Sequence, residues 1–253
     1  MRKYAIILFL VTVFFPATAL SQAPSATQVI EKAWDYMRGK TSVSVIRMKV
    51  HREDWERNST IKAWTEGREN SIFKIIAPAK DKDNGTLKLG TEMWTYNPKI
   101  NRIVKIPPSM MSQSWMGSDF SNNDLSKADS ILNDYTHKIA STKKENGHTI
   151  YTVVATPKPD APVIWGQQTL TIRDDGILLA QVFHDEDLKV AKEMKTDKIT
   201  ELGGRPFPTR WTMRSSDAES EGDYTLLEYD SLSFDVPLKK SLFTLNALKK
   251  PLR

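Results

Sequence analysis

The sequence predicts a mainly β protein, built as one strongly curved antiparallel sheet with an N-terminal helix and a long loop over its concave side. Three observations predict it. From Thr41 onward the chain is a succession of short β-branched and aromatic runs punctuated by turns. The turns Asp83-Asn84-Gly85, Glu145-Asn146-Gly147 and Asp174-Asp175-Gly176 supply the positive-φ residues of tight hairpins, so neighbouring runs pair antiparallel. The run Thr149 to Thr156 is apolar on both faces, with Tyr151, Val153 and Ala155 on one and Ile150 and Val154 on the other. Both faces then need cover, which a curved sheet with a filled concave side provides; a two-sheet sandwich is the other solution.

Composition bounds the rest. A chain of 253 residues with 40% hydrophobic and 26% charged residues can bury a sizeable core. Eleven Gly and thirteen Pro, dispersed along the chain, exclude collagen-like and low-complexity classes. A mean hydropathy of -0.44 excludes a bundle of membrane-spanning helices. Cys is absent, which removes disulfides, thiolate metal sites, Cys nucleophiles and a lipidated N-terminal Cys.

Arg2 and Lys3 precede an apolar run from Tyr4 to Phe15, then Pro16 and the small residues Ala17-Thr18-Ala19, so residues 1–19 read as a secretory signal peptide. Its removal lowers the formal charge of +5 by two, and the rest is evenly spread, so no nucleic-acid partner is implied. Residues 26–253 follow as one domain, since no Gly/Ser/Pro-rich linker divides them. Ala26 to Gly39 reads as an amphipathic helix, capped at Ser25 or Thr27, apolar at Val29, Ile30, Ala33, Trp34 and Met37, and stopped at Gly39.

Strand runs follow at Ser42 to Val50, Ile61 to Glu66, Ser71 to Ala77, Thr86 to Tyr96 and Arg102 to Ile106. They resume at Tyr135 to Ser141, Thr149 to Thr156, Gln168 to Arg173, Leu178 to His184, Val190 to Glu201, Thr209 to Ser215 and Tyr224 to Phe234. Gly203-Gly204 with Pro206 and Pro208 predicts a wider hairpin loop.

Between the two sets lies an interruption from Pro107 to Leu125. It holds Met110, Met111 and Met116, three of the nine Met, and Trp115, one of the seven Trp. Two prolines end the preceding strand and the Ser/Asp/Asn cluster favours turns, so an ordered loop is expected, with a helical turn near Asp124. Soft Met and large aromatic side chains suit a surface that accepts flexible apolar ligands; they would equally plug the end of a core.

The loop core Ser-Trp-Met-Gly-Ser-Asp-Phe-Ser-Asn-Asn-Asp-Leu is preceded by Glu92-Met93-Trp94-Thr95-Tyr96-Asn97-Pro98 and Arg102-Ile103-Val104-Lys105-Ile106, and Ser241-Leu242-Phe243 comes near the end. This constellation resembles the outer-membrane lipoprotein-sorting protein family, similar to LolA and LolB. The resemblance implies an incomplete β-barrel around a hydrophobic cavity, helices and a loop acting as a lid, and no chemistry performed. It implies a periplasmic carrier of lipoprotein acyl chains or lipid, with an inner-membrane exporter and an outer-membrane acceptor as partners and no cofactor. An accessory or sensor subunit of an envelope lipid exporter would use the same cavity, and an esterase is the remaining alternative. Trp94 and Tyr96, two apart and so on one face, join Met110, Met111, Trp115, Met116, Phe120 and Leu125 as the expected cavity and lid contacts.

Enzyme and metal signals are weak. No G-x-S-x-G, H-E-x-x-H, Walker or G-x-G-x-x-G motif is present. Ser118-Asp119 has no local His, and His184 with Asp185, Glu186 and Asp187 reads as a solvated hairpin end, so no catalytic residue and no metal site is assigned. The export reading makes a direct prediction: the mature N-terminus lies between Leu20 and Gln22. Intact-mass analysis of periplasmic protein that retains Met1 would reject it.

Overall fold

In the computed structural model, residues 23–216 and 222–252 are described. The expected signal peptide lies outside them. Helix α1 (Ala26–Arg38) opens with a capping box in which the Ser25 hydroxyl accepts from the Gln28 backbone and the Gln28 side chain accepts from the Ser25 backbone. That reciprocal pair satisfies two amides the helix start would otherwise leave open. Gly39, at φ 64°, ends the helix in a conformation costly for a side-chain-bearing residue. Val29, Ile30, Ala33 and Trp34 form its buried stripe.

Thirteen strands follow: β1 (Thr41–His51), β2 (Glu56–Glu66), β3 (Asn70–Ala77), β4 (Gly85–Leu89), β5 (Glu92–Asn97), β6 (Arg102–Lys105), β7 (Tyr135–Glu145), β8 (His148–Pro157), β9 (Gln167–Arg173), β10 (Leu178–His184), β11 (Val190–Leu202), β12 (Arg205–Ser215) and β13 (Tyr224–Phe234). All belong to one sheet, ordered β6-β5-β4-β3-β2-β1-β13-β12-β11-β10-β9-β8-β7, and every pairing is antiparallel. β6 and β7 are the two free edges, so the barrel is incomplete.

Three expectations change. Asp83-Asn84-Gly85 is not a tight hairpin: residues 78–84 join β3 to β4, only Asp83 of the three has a positive φ, 66°, and Gly85 already belongs to β4. The run Thr86 to Tyr96 is a hairpin rather than one strand, because Gly90, at φ 57°, reverses the chain between Leu89 and its partner Glu92. Gly203 and Gly204, at φ 66° and 80°, form a tight turn instead of a wide loop, with Leu202 paired directly to Arg205. Pro206 and Pro208 therefore lie inside β12. They are tolerated there because β13 pairs only with Arg210 to Met213, so the prolines face no ladder on that side.

The order of strands decides what covers the sheet. β6 and β7 are consecutive in sequence but occupy opposite edges, so the segment joining them, residues 106–134, must cross from one edge to the other. It does so over the concave face, as a strap containing α2 (Asn122–Ser126) and α3 (Ser130–Asn133). The expected helical turn near Asp124 is α2, started by a second capping box between Ser121 and Asp124. Helix α1 fills the other half of the concavity, packing on Val153, Ala155, Leu170, Ile172 and Trp211. On the opposite face, the C-terminal segment with α4 (Leu245–Lys249) lays Phe243 and Leu248 over Ile72, Leu87 and Tyr96.

A buried lysine fixes that terminal cover. The Lys74 ammonium donates to the Lys250 carbonyl, while the Asp83 carboxylate accepts from the Leu252 amide at 3.0 Å. Burial pushes the Lys74 amine below the usual lysine value of 10.5. Between the lowered value and 10.5 the unfolded chain holds a proton that the folded chain has released, so stability rises with pH across that window. Lys74→Met is expected to remove that part of the slope and to speed amide exchange at residues 238–252, both readable by denaturation and hydrogen exchange at several pH values.

Candidate functional site

A cavity of about 320 Å³ remains between α1, the strap and the concave face. Phe73, Met194, Trp211, Met213, Leu227 and Tyr229 floor it from the sheet, Trp34 and Met37 wall it from α1, and Phe120 and Leu125 roof it from the strap. The β8–β9 connection adds Val163, Ile164 and Trp165.

Several of its polar groups are hydrogen-bonded within the protein, while Asp124 Oδ1, also in the lining, is buried without a hydrogen-bond partner. The Trp34 indole donates to the Ala128 carbonyl at 3.2 Å and the Trp211 indole to the Pro208 carbonyl at 2.8 Å. The Tyr135 hydroxyl donates to the Trp165 carbonyl at 3.2 Å, and Gln181 donates to Gln168 at 2.6 Å. Each amphipathic ring thus spends its polar handle on the backbone and turns its carbon face inward. Burial raises the Tyr229 phenol to about 12 against the opposing charge of Arg38, so it stays neutral at any physiological pH.

Three aspartates, each five residues from the next, hold the strap down. Asp119 takes a bidentate pair from Arg52, just beyond β1, at 3.1 and 3.2 Å, and accepts from the Thr225 hydroxyl at 2.5 Å. Asp124 pairs with Lys192 on β11; both side chains are under 10% exposed. The Lys192 ammonium also lies 4.8 Å from the Trp165 ring centroid and 5.3 Å from that of Phe183, so the cation is neutralised on one side and faced by π-density on the other. Asp129 sits 3.6 Å from Arg38 and 3.7 Å from Lys88.

The sequence-predicted site residues do not form one group. Phe120 and Leu125 line the main cavity. Met110, Trp115 and Met116 line a second cavity of about 350 Å³ on the β5–β6 side of the strap, and Met111 packs with Met48, Ile61 and Met93 beneath it. Trp115 is a core residue, 7% exposed, its indole donating to the Thr86 hydroxyl at 3.0 Å and its ring edge-on to Phe73 at 5.5 Å. Trp94 and Tyr96 lie on the opposite face of the sheet, under the C-terminal segment, because Thr86 and Met93 take the concave side and the pleat sends their neighbours outward.

Ser118 is a turn residue. Its hydroxyl, in a side chain only 1% exposed, donates to the Trp115 carbonyl at 2.7 Å. His184 joins no metal-ligand cluster; among the described residues the one such grouping is His148, Asp174 and Asp175 at the β7–β8 and β9–β10 turns. There Asp174 already accepts from Thr149 and faces His148 at 2.7 Å, and Asp175 is held by Arg173. Among the described residues, no helix is long and apolar enough to cross a membrane.

Sheet, strap and cavity together define the class: an unclosed antiparallel half-barrel of LolA type. A LolA superfamily protein from Nitrosomonas europaea matches at a TM-score of 0.72 and 20% identity, covering 89% of this chain and 100% of its own. A DUF1329 family protein from Desulfovibrio piger gives 0.77 and 21%, covering 89% and 100%. A domain assigned as an outer membrane lipoprotein-sorting protein, from Vibrio parahaemolyticus, gives 0.73 and 15%, covering 89% and 98%. A family model described as "uncharacterized protein" matches residues 67–250, and the chain belongs to that family. No curated protein matches the sequence.

The strap's attachment is testable at its most enclosed pair. Lys192→Met leaves the Asp124 carboxylate buried without its cation and is expected to cost about 3–5 kcal/mol of unfolding free energy. Adding Asp124→Leu to it removes the stranded charge and is expected to recover most of that loss in the same urea titration.

Proposed function

We propose that the protein carries a hydrophobic ligand through the periplasm, as one domain spanning residues 26–253, and that the ligand is an acyl chain of a lipoprotein or lipid. The cavity between α1 and the strap supports this reading best. Its walls are mainly aromatic and aliphatic, the Trp34 and Trp211 indoles are hydrogen-bonded to the backbone and the Tyr229 phenol is held neutral, so an incoming chain meets mostly carbon. A volume of about 320 Å³ is at the lower end of the range for ligand sites, about 300–1,000 Å³, and suits one chain in the closed form. Each methylene moved from water into such a site contributes about 0.8 kcal/mol, enough for a short stretch of chain to give useful affinity.

An inner-membrane exporter and an outer-membrane acceptor are the partners that the family resemblance implies. The strap is the part that would yield. It closes the cavity through ion pairs, Asp124 to Lys192 and Asp129 to Arg38 and Lys88, and such contacts can be exchanged for water at a membrane surface.

The test is a fluorescent fatty-acyl probe titrated into the mature protein. Leu227→Trp, which fills the cavity floor, is expected to weaken binding at least about tenfold, the equivalent of losing roughly two buried methylenes, while leaving the far-UV spectrum unchanged. Unaltered affinity in that variant would place the ligand elsewhere and sink the reading.

A further inference from the structure

The second cavity carries a feature that the carrier reading leaves unused. On β2, Arg57, Ser59 and Ile61 point to the concave side. Ile61 and Ser59 are buried, and Arg57 extends beneath the strap, against Gly117, where a Cβ would come within 3.1 Å of its guanidinium. Gly117, at φ 66°, is favoured by its own backbone conformation, and a side chain there would also press on the Arg57 guanidinium.

Arg57 is unlike its neighbour Arg52. Arg52 is paired with Asp119 and Asp223 and bonded to backbone carbonyls. Among the described residues Arg57 enters no ion pair and meets only the Trp55 ring, 5.8 Å from its Cζ. One terminal nitrogen is buried with no acceptor at all. A guanidinium N–H shut away from water without an acceptor is unfavourable, and an anion that reached it would relieve that cost.

The cavity of about 350 Å³ that Arg57 lines is built for more than a free anion. The same lining offers hydroxyls from Ser59 and Ser114 and apolar surface from Ile106, Met110, Trp115 and Met116. Arg57 is the sole cation in the lining and Asp81 the sole carboxylate, and the two form no ion pair. Trp115, in the lining of this cavity, packs edge-on at 5.5 Å against Phe73, in the lining of the main one, so the two cavities meet at that ring pair.

We propose that this second cavity is a headgroup subsite, in which Arg57 binds the carboxylate or phosphate of a single-chain anionic amphiphile whose first methylenes lie along Met110, Trp115 and Met116. The proposal rests on the reading of the protein as an acyl-chain carrier, and it adds a charge requirement to it. A planar guanidinium takes either oxyanion through two parallel N–H donors, so the two headgroups share one chemistry here.

The experiment compares three probes of one chain length on the mature protein: a fluorescent fatty acid, its methyl ester, and the corresponding phosphate monoester. The wild type is expected to bind the charged probes about tenfold or more tighter than the ester, the scale of a charge-assisted hydrogen bond. Arg57→Gln is expected to abolish that preference while leaving ester binding unchanged, and Arg57→Lys to keep part of it. Whichever charged probe loses more on Arg57→Gln identifies the source, carboxylate or phosphate. Equal binding of all three probes by the wild type overturns the subsite but not the carrier reading. An equal loss for ester and acid in Arg57→Gln also overturns it, by making Arg57 a structural residue. If none of the probes binds the wild type, the carrier reading fails and the subsite fails with it.

Discussion

The constraint on which the rest depends is topological: the two free edges of the sheet, β6 and β7, are joined by one stretch of chain. A sheet of thirteen strands that does not close leaves a concave apolar face, and the connection between its edges has no route other than across that face or around the back. Crossing the face buries Trp115, Phe120 and Leu125 against Met48, Ile61 and Phe73, which the longer route would leave wet. The strap and the cavity are thus consequences of the same strand order. Curvature of the sheet and tension in the strap are also one coordinate, since spreading the edges must pull on residues 106–134.

Polar groups do the positioning inside this apolar frame. Asp119, Asp124 and Asp129 each meet a cation from a different part of the sheet or from α1, so the strap is pinned at three points in a fixed register. Buried pairs of this kind seldom add much net stability over well-packed apolar residues, but they penalise every arrangement in which one partner is left alone. Packing by Met and Leu alone would let the strap slide; the ion pairs select one position.

Much of the fold is legible in the sequence, and the reason is local. Ser25 and Gly39 bracket α1 through cap chemistry, and Asn146, Gly147 and Gly176 mark hairpins through positive φ, all within a few residues of the effect. Gly90 is missed because Leu89 and Thr91 flank it with strand-favouring types, so only the backbone reveals the reversal. The site is less legible, for a geometric reason. Alternation says that Trp94 and Tyr96 share a face but not which face, and that was settled by where Thr86 and Met93 point. The cavity walls from β10 to β13, and the cations that hold Asp119, Asp124 and Asp129, come from positions distant along the chain, where no periodicity connects them. The place of Trp165 and Trp211 in the cavity likewise depends on the strap's path.

The unclosed sheet also has a cost at its rim. β7 is an eleven-residue edge strand whose outer half is exposed from Ala140 to Glu145, with a full row of backbone groups facing solvent. A flat, apolar strand in that position would invite a second copy to add on and propagate. Here the exposed stretch reads Ala-Ser-Thr-Lys-Lys-Glu, and a register shift between Ile139 and Ser141 breaks the regularity of the strand where it leaves the core. Two adjacent lysines, Lys143 and Lys144, would face their own kind across any self-pairing in parallel register, and an antiparallel one would have to bury them beside an irregular backbone. The open rim is in this way kept from becoming a seed for self-association.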